Sequence, residues 1–137
     1  MRRWRIAGLI VPVLLAGCAG TAERASCPPP LEAVPVVELF FGRGLAEGGE
    51  VSDAAWRGFL DEVVTPRFPD GLSVLDAAGQ YRSGSAIERE NSKLLIIVGP
   101  DPGDLDARLD AVIAAYKARF RQQAVLRVDS AACTALR

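Results

Sequence analysis

At 137 residues the chain has the length of a single domain, and its composition, 50% hydrophobic and 24% charged, excludes a disordered or fibrous protein. It contains no histidine, which excludes Ser-His or Cys-His catalysis and most transition-metal sites. The formal net charge is −1, and no basic run or basic-aromatic stripe occurs after residue 17. We therefore expect no nucleic-acid partner.

The first 17 residues have the layout of a bacterial export signal. A cationic stretch at residues 1–5 precedes an apolar run at 6–16, which is shorter than the roughly 20 residues that span a membrane. Leu15-Ala16-Gly17-Cys18 resembles the lipobox of bacterial lipoproteins. The resemblance implies cleavage before Cys18 and a diacylglycerol on its thiol. The alternative is an ordinary signal peptide followed by a chance cysteine.

The lipobox implies an exported protein that is anchored to a membrane through Cys18 and faces the periplasm. Ala19 after the cysteine is compatible with sorting to the outer membrane. Loss of residues 1–17 removes three arginines and changes the formal net charge from −1 to −4. The expected organisation is a signal peptide at 1–17, a lipidated extended tether at 18–34 and a single domain at 35–137.

Two further cysteines remain once Cys18 carries lipid. In an oxidising compartment Cys27 and Cys133 are expected to form a disulfide that ties the start of the domain to its end. Two free thiols, or a redox or metal pair, are the alternatives. Two cysteines without a histidine make a poor zinc site, and we expect no metal or cofactor.

The first half of the domain predicts a strand and a helix. Residues 36–41 are β-branched and aromatic, which favours a strand. Ser52 is a good helix N-cap, and Pro66 is expected to end the helix at Thr65. The helix places its apolar residues on one face: Trp56, Phe59, Leu60 and Val63.

Two strands and two turns are predicted next. Residues 72–75 predict a strand and 76–79 a turn, and residues 80–82 extend the pairing before a second turn at Ser83-Gly84. Residues 93–98 are apolar after the first, which is typical of a central strand buried on both faces.

A second helix and a last strand complete the domain. The helix has one apolar face, and residues 124–128 predict the strand. The apolar face consists of Leu105, Leu109, Val112, Ile113, Tyr116 and Phe120. The order β-α-β-β-α-β predicts an α+β, ferredoxin-like fold, with an antiparallel sheet and both helices on one face. The other sheet face must be solvated, paired with another subunit or covered by loops.

Residues 37–127 resemble an uncharacterised bacterial family, domain of unknown function 3574. The matching stretches are residues 38–43 (ELFFGR), 51–56 (VSDAAW), 63–72 (VVTPRFPDGL), 79–82 (GQYR) and 116–122 (YKARFRQ). The resemblance implies export and small size, and it implies no known activity.

Arginine, tyrosine and glutamate residues within or beside these stretches are the candidate ligand-binding set. They are Glu38, Arg43, Arg67, Tyr81, Arg82, Glu90, Arg119 and Arg121. Such a set can hold a carboxylate or phosphate by bidentate hydrogen bonds, or form ion pairs that pin loops and helix ends to the sheet. Glu38 alternates with Val37 and Leu39, so we expect it on the open sheet face.

Two functions compete. The first is a non-catalytic envelope module whose open sheet face binds a protein partner or a second copy as a homodimer. The second is a small-ligand-binding or enzymatic dimer with an Arg/Tyr/Glu-lined pocket on that face. The sequence offers no catalytic residue, and we favour binding over catalysis.

Overall fold

The structure is a computed structural model that describes residues 26–136. Its elements are β1 (Glu32–Gly42), α1 (Asp53–Phe59), β2 (Ser73–Ser83), β3 (Ala86–Val98), α2 (Leu105–Phe120) and β4 (Leu126–Thr134). A five-residue π-helix, Leu60–Val64, continues α1. The predicted signal peptide, lipidated Cys18 and most of the predicted tether lie outside the described residues.

The four strands form one sheet in the order β2-β3-β1-β4, and every neighbouring pair is antiparallel. With two helices added, this confirms the predicted α+β fold. In the register, Glu38 lies opposite Ile96 of β3 and Val128 of β4. Opposite residues of antiparallel strands project from the same face, so this register assigns side chains to the two faces of the sheet.

Both helices pack on one face of the sheet. Val37, Leu39 and Phe41 of β1 join Leu95 and Ile97 of β3 in the core. The helices complete it with Trp56, Phe59, Leu109, Val112 and Tyr116. Aromatic rings are concentrated here, and Phe41 lies 4.7 Å from Tyr116 between ring centroids, in an edge-on arrangement.

The opposite face of the sheet, which we call the open face, has no covering layer among the described residues. Leu126 is 60% exposed and Val98 is 56% exposed, and both belong to this face by register. Half-buried side chains continue the apolar surface between them: Phe40, Leu94 and Ile96. The sequence predicted a second sheet face that the helices do not cover. In the structure this face exposes an apolar surface, which soluble domains rarely leave uncovered.

The start and end of α1 follow the local sequence. The Ser52 hydroxyl accepts a hydrogen bond of 3.2 Å from the Ala55 amide, as an N-cap does. At the other end, the Thr65 amide donates to the Leu60 carbonyl oxygen, and Pro66 follows. The predicted helix is confirmed over this span, with a widened last turn that the spacing of apolar residues did not indicate.

The strands extend further than the sequence predicted. The predicted turn at 76–79 is wrong, because β2 runs unbroken through it in register with β3. Cross-strand pairing outweighs the weak β propensity of Gly79. β1 begins at Glu32, within the predicted tether, because it pairs there with Thr134 at the end of β4. The residues of β3 are buried on the helix side of the sheet only. The prediction that residues 93–98 are buried on both faces is therefore also wrong.

The predicted disulfide is confirmed. Cys27 and Cys133 are bonded, with their Cα atoms 5.5 Å apart and a sequence separation of 106. The bond ties the segment before β1 to the end of β4, next to the pair formed by Ala33 and Cys133. A structural disulfide is consistent with an exported protein in an oxidising compartment.

Candidate functional site

Glu38 lies on the open face, as predicted. It is half-buried, with Val36 and Phe40 as its neighbours on the same face of β1. Across the strands it faces Ile96 and Val128. The sequence alternation placed this carboxylate correctly, and the structure surrounds it with apolar side chains.

Three of the candidate arginines hold the fold together. Arg43 donates from Nε and Nη2 to the Val51 carbonyl oxygen, at 2.9 and 2.6 Å, and so closes the loop after β1. Arg67 donates to the Val63 carbonyl oxygen at 2.6 Å. Arg119 of α2 forms an ion pair with Glu62 at 2.7 Å. None of the three lines the cleft described below.

Tyr81 and Arg82 lie on a two-stranded extension of the sheet. Residues 79–90, which we call the arm, pair only with one another, and all of them are exposed. Adjacent residues of a strand project to opposite faces. Tyr81 therefore shares a face with Glu88 and Glu90, whereas Arg82 lies on the other face with Arg89.

One cleft gathers part of the candidate set. It has a volume of about 410 Å³ and lies at the end of the sheet where the arm begins. Its side chains come from the arm and from the segment after α2: Tyr81, Glu90, Arg121, Gln122 and Gln123. Gly44, Leu45 and Ala46 of the loop after β1, together with Ala124, complete the lining. We call this the Tyr81 cleft.

Local structure explains how the cleft forms. A Cβ atom on Gly42 would overlap Oε1 of Glu90, so a larger residue there would require this carboxylate to move away from β1. Arg121 ends α2 in the left-handed conformation, with φ of 56°. Gln122 then donates to the Gly44 carbonyl oxygen at 2.6 Å and joins the two loops. Arg121 also forms an ion pair with Glu47.

A second polar cluster was missed by the sequence analysis. Lys93 is only 7% exposed, and its Nζ lies 2.5 Å from Asp76 and 3.0 Å from Asp53. The hydrogen bonds that Lys93 donates to Asp76 and then to Asp53 raise the pKa of Lys93. The hydrogen bond and charge of Lys93, followed by the charge of Arg43, lower the pKa of Asp53. Lys93 alternates in phase with Leu95 and Ile97 along β3. This alternation was the sequence signal that could have placed Lys93 on the helix side of the sheet.

The described part of the chain contains neither a group of metal ligands nor a membrane-spanning helix. Within residues 26–136 no three or more histidine, cysteine, aspartate or glutamate residues are grouped to hold a metal ion. No helix that the structure describes has the length and apolar character needed to cross a membrane.

The fold and the cleft define a small α+β domain with an open antiparallel sheet. The chain belongs to the family described as protein of unknown function (DUF3574), whose model matches residues 36–136. This confirms the family resemblance seen in the sequence. No curated protein matches the chain.

Two solved structures share the fold. A phage SAM lyase in the apo state superposes with a TM-score of 0.55 at 17% identity, over 72% of this chain and 81% of the lyase. A phage SAM lyase in complex with S-methyl-5'-thioadenosine gives a TM-score of 0.53 at 16% identity, over 70% and 79%. At this level of identity the likeness establishes a common fold.

Proposed function

We propose that this domain binds a small polar ligand in the Tyr81 cleft. The observation that carries the proposal is the meeting of a tyrosine, a carboxylate and a guanidinium group in one cleft of about 410 Å³. Small-molecule sites commonly occupy about 300–1,000 Å³ and fix their ligands with a few convergent polar groups. Of the arginine, tyrosine and glutamate residues singled out in the sequence, Arg121, Tyr81 and Glu90 line this cleft, whereas Glu38 does not.

The lining indicates the chemistry of the ligand. The Glu90 carboxylate can accept hydrogen bonds from a cationic group, and the exposed ring of Tyr81 offers a face for stacking. The ion pair with Glu47 leaves Arg121 partly neutralised. These features favour an organic cation that carries a flat ring.

The fold comparison supports a first ligand class. The phage SAM lyase has been solved with S-methyl-5'-thioadenosine, a nucleoside thioether. S-adenosylmethionine combines a nucleoside and a cationic sulfonium with an ammonium group. The ammonium group can donate hydrogen bonds to Glu90, and the flat base can stack on Tyr81. We propose binding of this class and assign no reaction.

Isothermal titration calorimetry on the detergent-extracted full chain tests this proposal. S-adenosylmethionine and S-methyl-5'-thioadenosine are the two probes. We expect the cation to bind more tightly, and Glu90→Gln to weaken its binding at least tenfold, since a charged hydrogen bond contributes about 1.5–3 kcal/mol. Glu88→Gln is the matched control, because Glu88 lies on the same face of the arm outside the cleft. Equal loss in both variants, or no binding by folded wild type, would contradict the proposal.

We further propose that the domain is ferredoxin-like, exported and lipid-anchored. The chain order β-α-β-β-α-β, with β1 between β3 and β4, supports the first point. The Cys27–Cys133 bond supports export, and the lipobox motif supports the anchor at Cys18. Metabolic labelling with palmitate tests the anchor: label should enter the wild type and not Cys18→Ala. Label in both proteins, or in neither, would contradict it.

A non-catalytic interaction module is the second candidate function. The exposed apolar side chains of the open face favour it, since a surface of this kind commonly marks an interface. It is compatible with ligand binding because Glu38 and the apolar side chains around it do not line the Tyr81 cleft.

A further inference from the structure

The open face combines apolar and acidic side chains. By register, its strand residues include four glutamates, Glu32, Glu38, Glu88 and Glu90, and no lysine or arginine. Glu38 is the one surrounded by the apolar patch, between Val36 and Phe40 on its own strand. Whatever covers this patch takes the Glu38 carboxylate out of water. A buried carboxylate is costly without a cationic partner.

The arm has the opposite character on one of its faces. Arg82 lies opposite Ile87, and Gln80 lies opposite Arg89, so these four side chains share a face. That face carries two cations, one apolar residue that is 53% exposed, and no acid. Neither arginine forms an ion pair within residues 26–136.

Within residues 26–136 no third strand pairs with the arm. β1 pairs with β3 only as far as Ser92, so β2 and β3 form an isolated two-stranded ribbon beyond it. A two-stranded ribbon is marginally stable in water without a third strand or a packed face. Among the described residues, neither the arm nor the open face is covered by another element of the chain.

We propose that the arm of one copy of this chain docks on the open face of a second copy. Arg82 and Arg89 pair with Glu38 of that copy, and Ile87 packs on the apolar side chains around Glu38. An arm and an open face of the same chain cannot meet. Arg89 and Ile96, which lies opposite Glu38, are seven residues apart on β3, about 23 Å along an extended strand.

Charge favours this arrangement over simple stacking of two open faces. Face-to-face stacking would bring two Glu38 carboxylates into one apolar layer without a cation from either copy. Docking of the arm supplies a guanidinium group to each carboxylate and covers the apolar patch in the same contact. The two surfaces differ, so a ring of copies or a reciprocal dimer satisfies both surfaces of every chain.

Native mass spectrometry of the detergent-extracted full chain tests the proposal by charge reversal. We expect an oligomer for the wild type, and at least a tenfold weaker association for Glu38→Arg and for the double variant Arg82→Glu/Arg89→Glu. Combining all three substitutions in one chain should restore association. Glu88→Arg is the matched control, because Glu88 lies on the other face of the arm.

Circular dichroism establishes that each variant is folded. The intact mass of each variant shows whether the Cys27–Cys133 disulfide has formed. A second measurement does not depend on destabilising any variant. Arg82→Lys keeps the charge and introduces an amine, and a zero-length carbodiimide reagent should join position 82 of one copy to Glu38 of another. Mass spectrometry of the peptides identifies the link.

A monomeric wild type would overturn the proposal, as would an oligomer insensitive to the Glu38 and arm reversals. Failure of the triple variant to reassociate, or a crosslink to another acid in place of Glu38, would also overturn it. The proposal rests on the open face and the arm, so it can hold even if no ligand binds the Tyr81 cleft.

Discussion

The hydroxyl of Tyr116 donates a hydrogen bond of 2.9 Å to the carbonyl oxygen of Gly42. Tyr116 is fully buried, and the bond joins the C-terminal part of α2 to the end of β1. The missing side chain of Gly42 also leaves room for the Glu90 carboxylate. One glycine therefore connects the aromatic core to the Tyr81 cleft.

Removing this hydrogen bond should destabilise the domain. Tyr116→Phe leaves the Gly42 carbonyl oxygen without its partner, and we expect a loss of about 1–3 kcal/mol in the free energy of unfolding. Urea denaturation measures it. Tyr81→Phe, the same change on an exposed side chain, should alter stability by less than about 0.5 kcal/mol. Equal effects of the two changes would contradict the role of the Tyr116 hydroxyl.

Tyr116 should also control the alkaline stability of the domain. Burial raises the pKa of its hydroxyl to about 12, from an ordinary value of 10.0. Because the folded-state pKa is the higher one, the stabilisation is complete below pH 10 and disappears as the pH rises toward 12.

Absorbance titration of Tyr81→Phe isolates Tyr116, since the chain contains two tyrosines. We expect the phenolate to appear near pH 12, together with unfolding. Phenolate formation near pH 10 in the folded protein would contradict the burial argument.

Alanine at Gly42 should behave differently from alanine at a permissive glycine. Gly79 lies on the arm, and a Cβ there makes only an ordinary contact of 3.8 Å. Gly79→Ala should therefore raise the free energy of unfolding by about 0.4–1 kcal/mol, because alanine lowers the conformational entropy of the unfolded chain. Gly42→Ala should give no such gain, because its Cβ must displace Glu90. Denaturant titration of both variants measures the difference, and an equal gain in both would contradict the close approach of Glu90.

The Asp53–Lys93 contact should appear in the acid stability of the domain. Its partners lower the pKa of Asp53 below 3.8, so the folded state binds this proton less readily than the unfolded chain. The stabilisation is present above the ordinary Asp value and is lost as the pH falls through the lower folded-state pKa.

The wild type should therefore lose more stability between neutral pH and the acid range than Asp53→Asn does. Urea midpoints measured across this range test the prediction. Asp70→Asn is the control, since Asp70 forms no ion pair in the part of the chain that the structure describes. If the wild type and Asp53→Asn lose the same stability on acidification, the acid sensitivity of the domain comes from another group.

The disulfide should make a large contribution to stability. The bond closes a segment with a sequence separation of 106, and removing a native disulfide from a small exported domain commonly costs about 2–5 kcal/mol. The double variant Cys27→Ser/Cys133→Ser should show this loss in urea. Reduction of the wild type should reproduce it. A loss below about 1 kcal/mol in both cases would mean that strand pairing alone holds β4 in place.

Much of the fold could be predicted because its signals are local. α2 occupies the predicted residues because its apolar side chains repeat at helical spacing, and Ser52 caps α1 as its side chain predicts. Strand lengths were underestimated, since Gly79 and the residues around it are weak strand formers in isolation. Pairing with β3 determines their conformation, and that pairing depends on residues distant in sequence.

The candidate site divides in the same way. Tyr81, Glu90 and Arg121 meet in one cleft, whereas Arg43 and Arg119 are engaged in the fold. Sequence identified all five as candidates without separating the two groups. Which arginine lines the cleft depends on where loops and helix ends lie relative to one another, and this is absent from local sequence.

The sequence by itself determined the α+β class, the helix positions, the cysteine pair, the family and the face on which Glu38 lies. These follow from composition, periodicity and resemblance, which involve neighbouring residues or whole-chain patterns. Only the tertiary structure decided the unbroken arm, the Lys93 cluster and the residues that line the Tyr81 cleft. Their physical basis is strand register and the packing of loops against the sheet, which bring together side chains far apart in the chain.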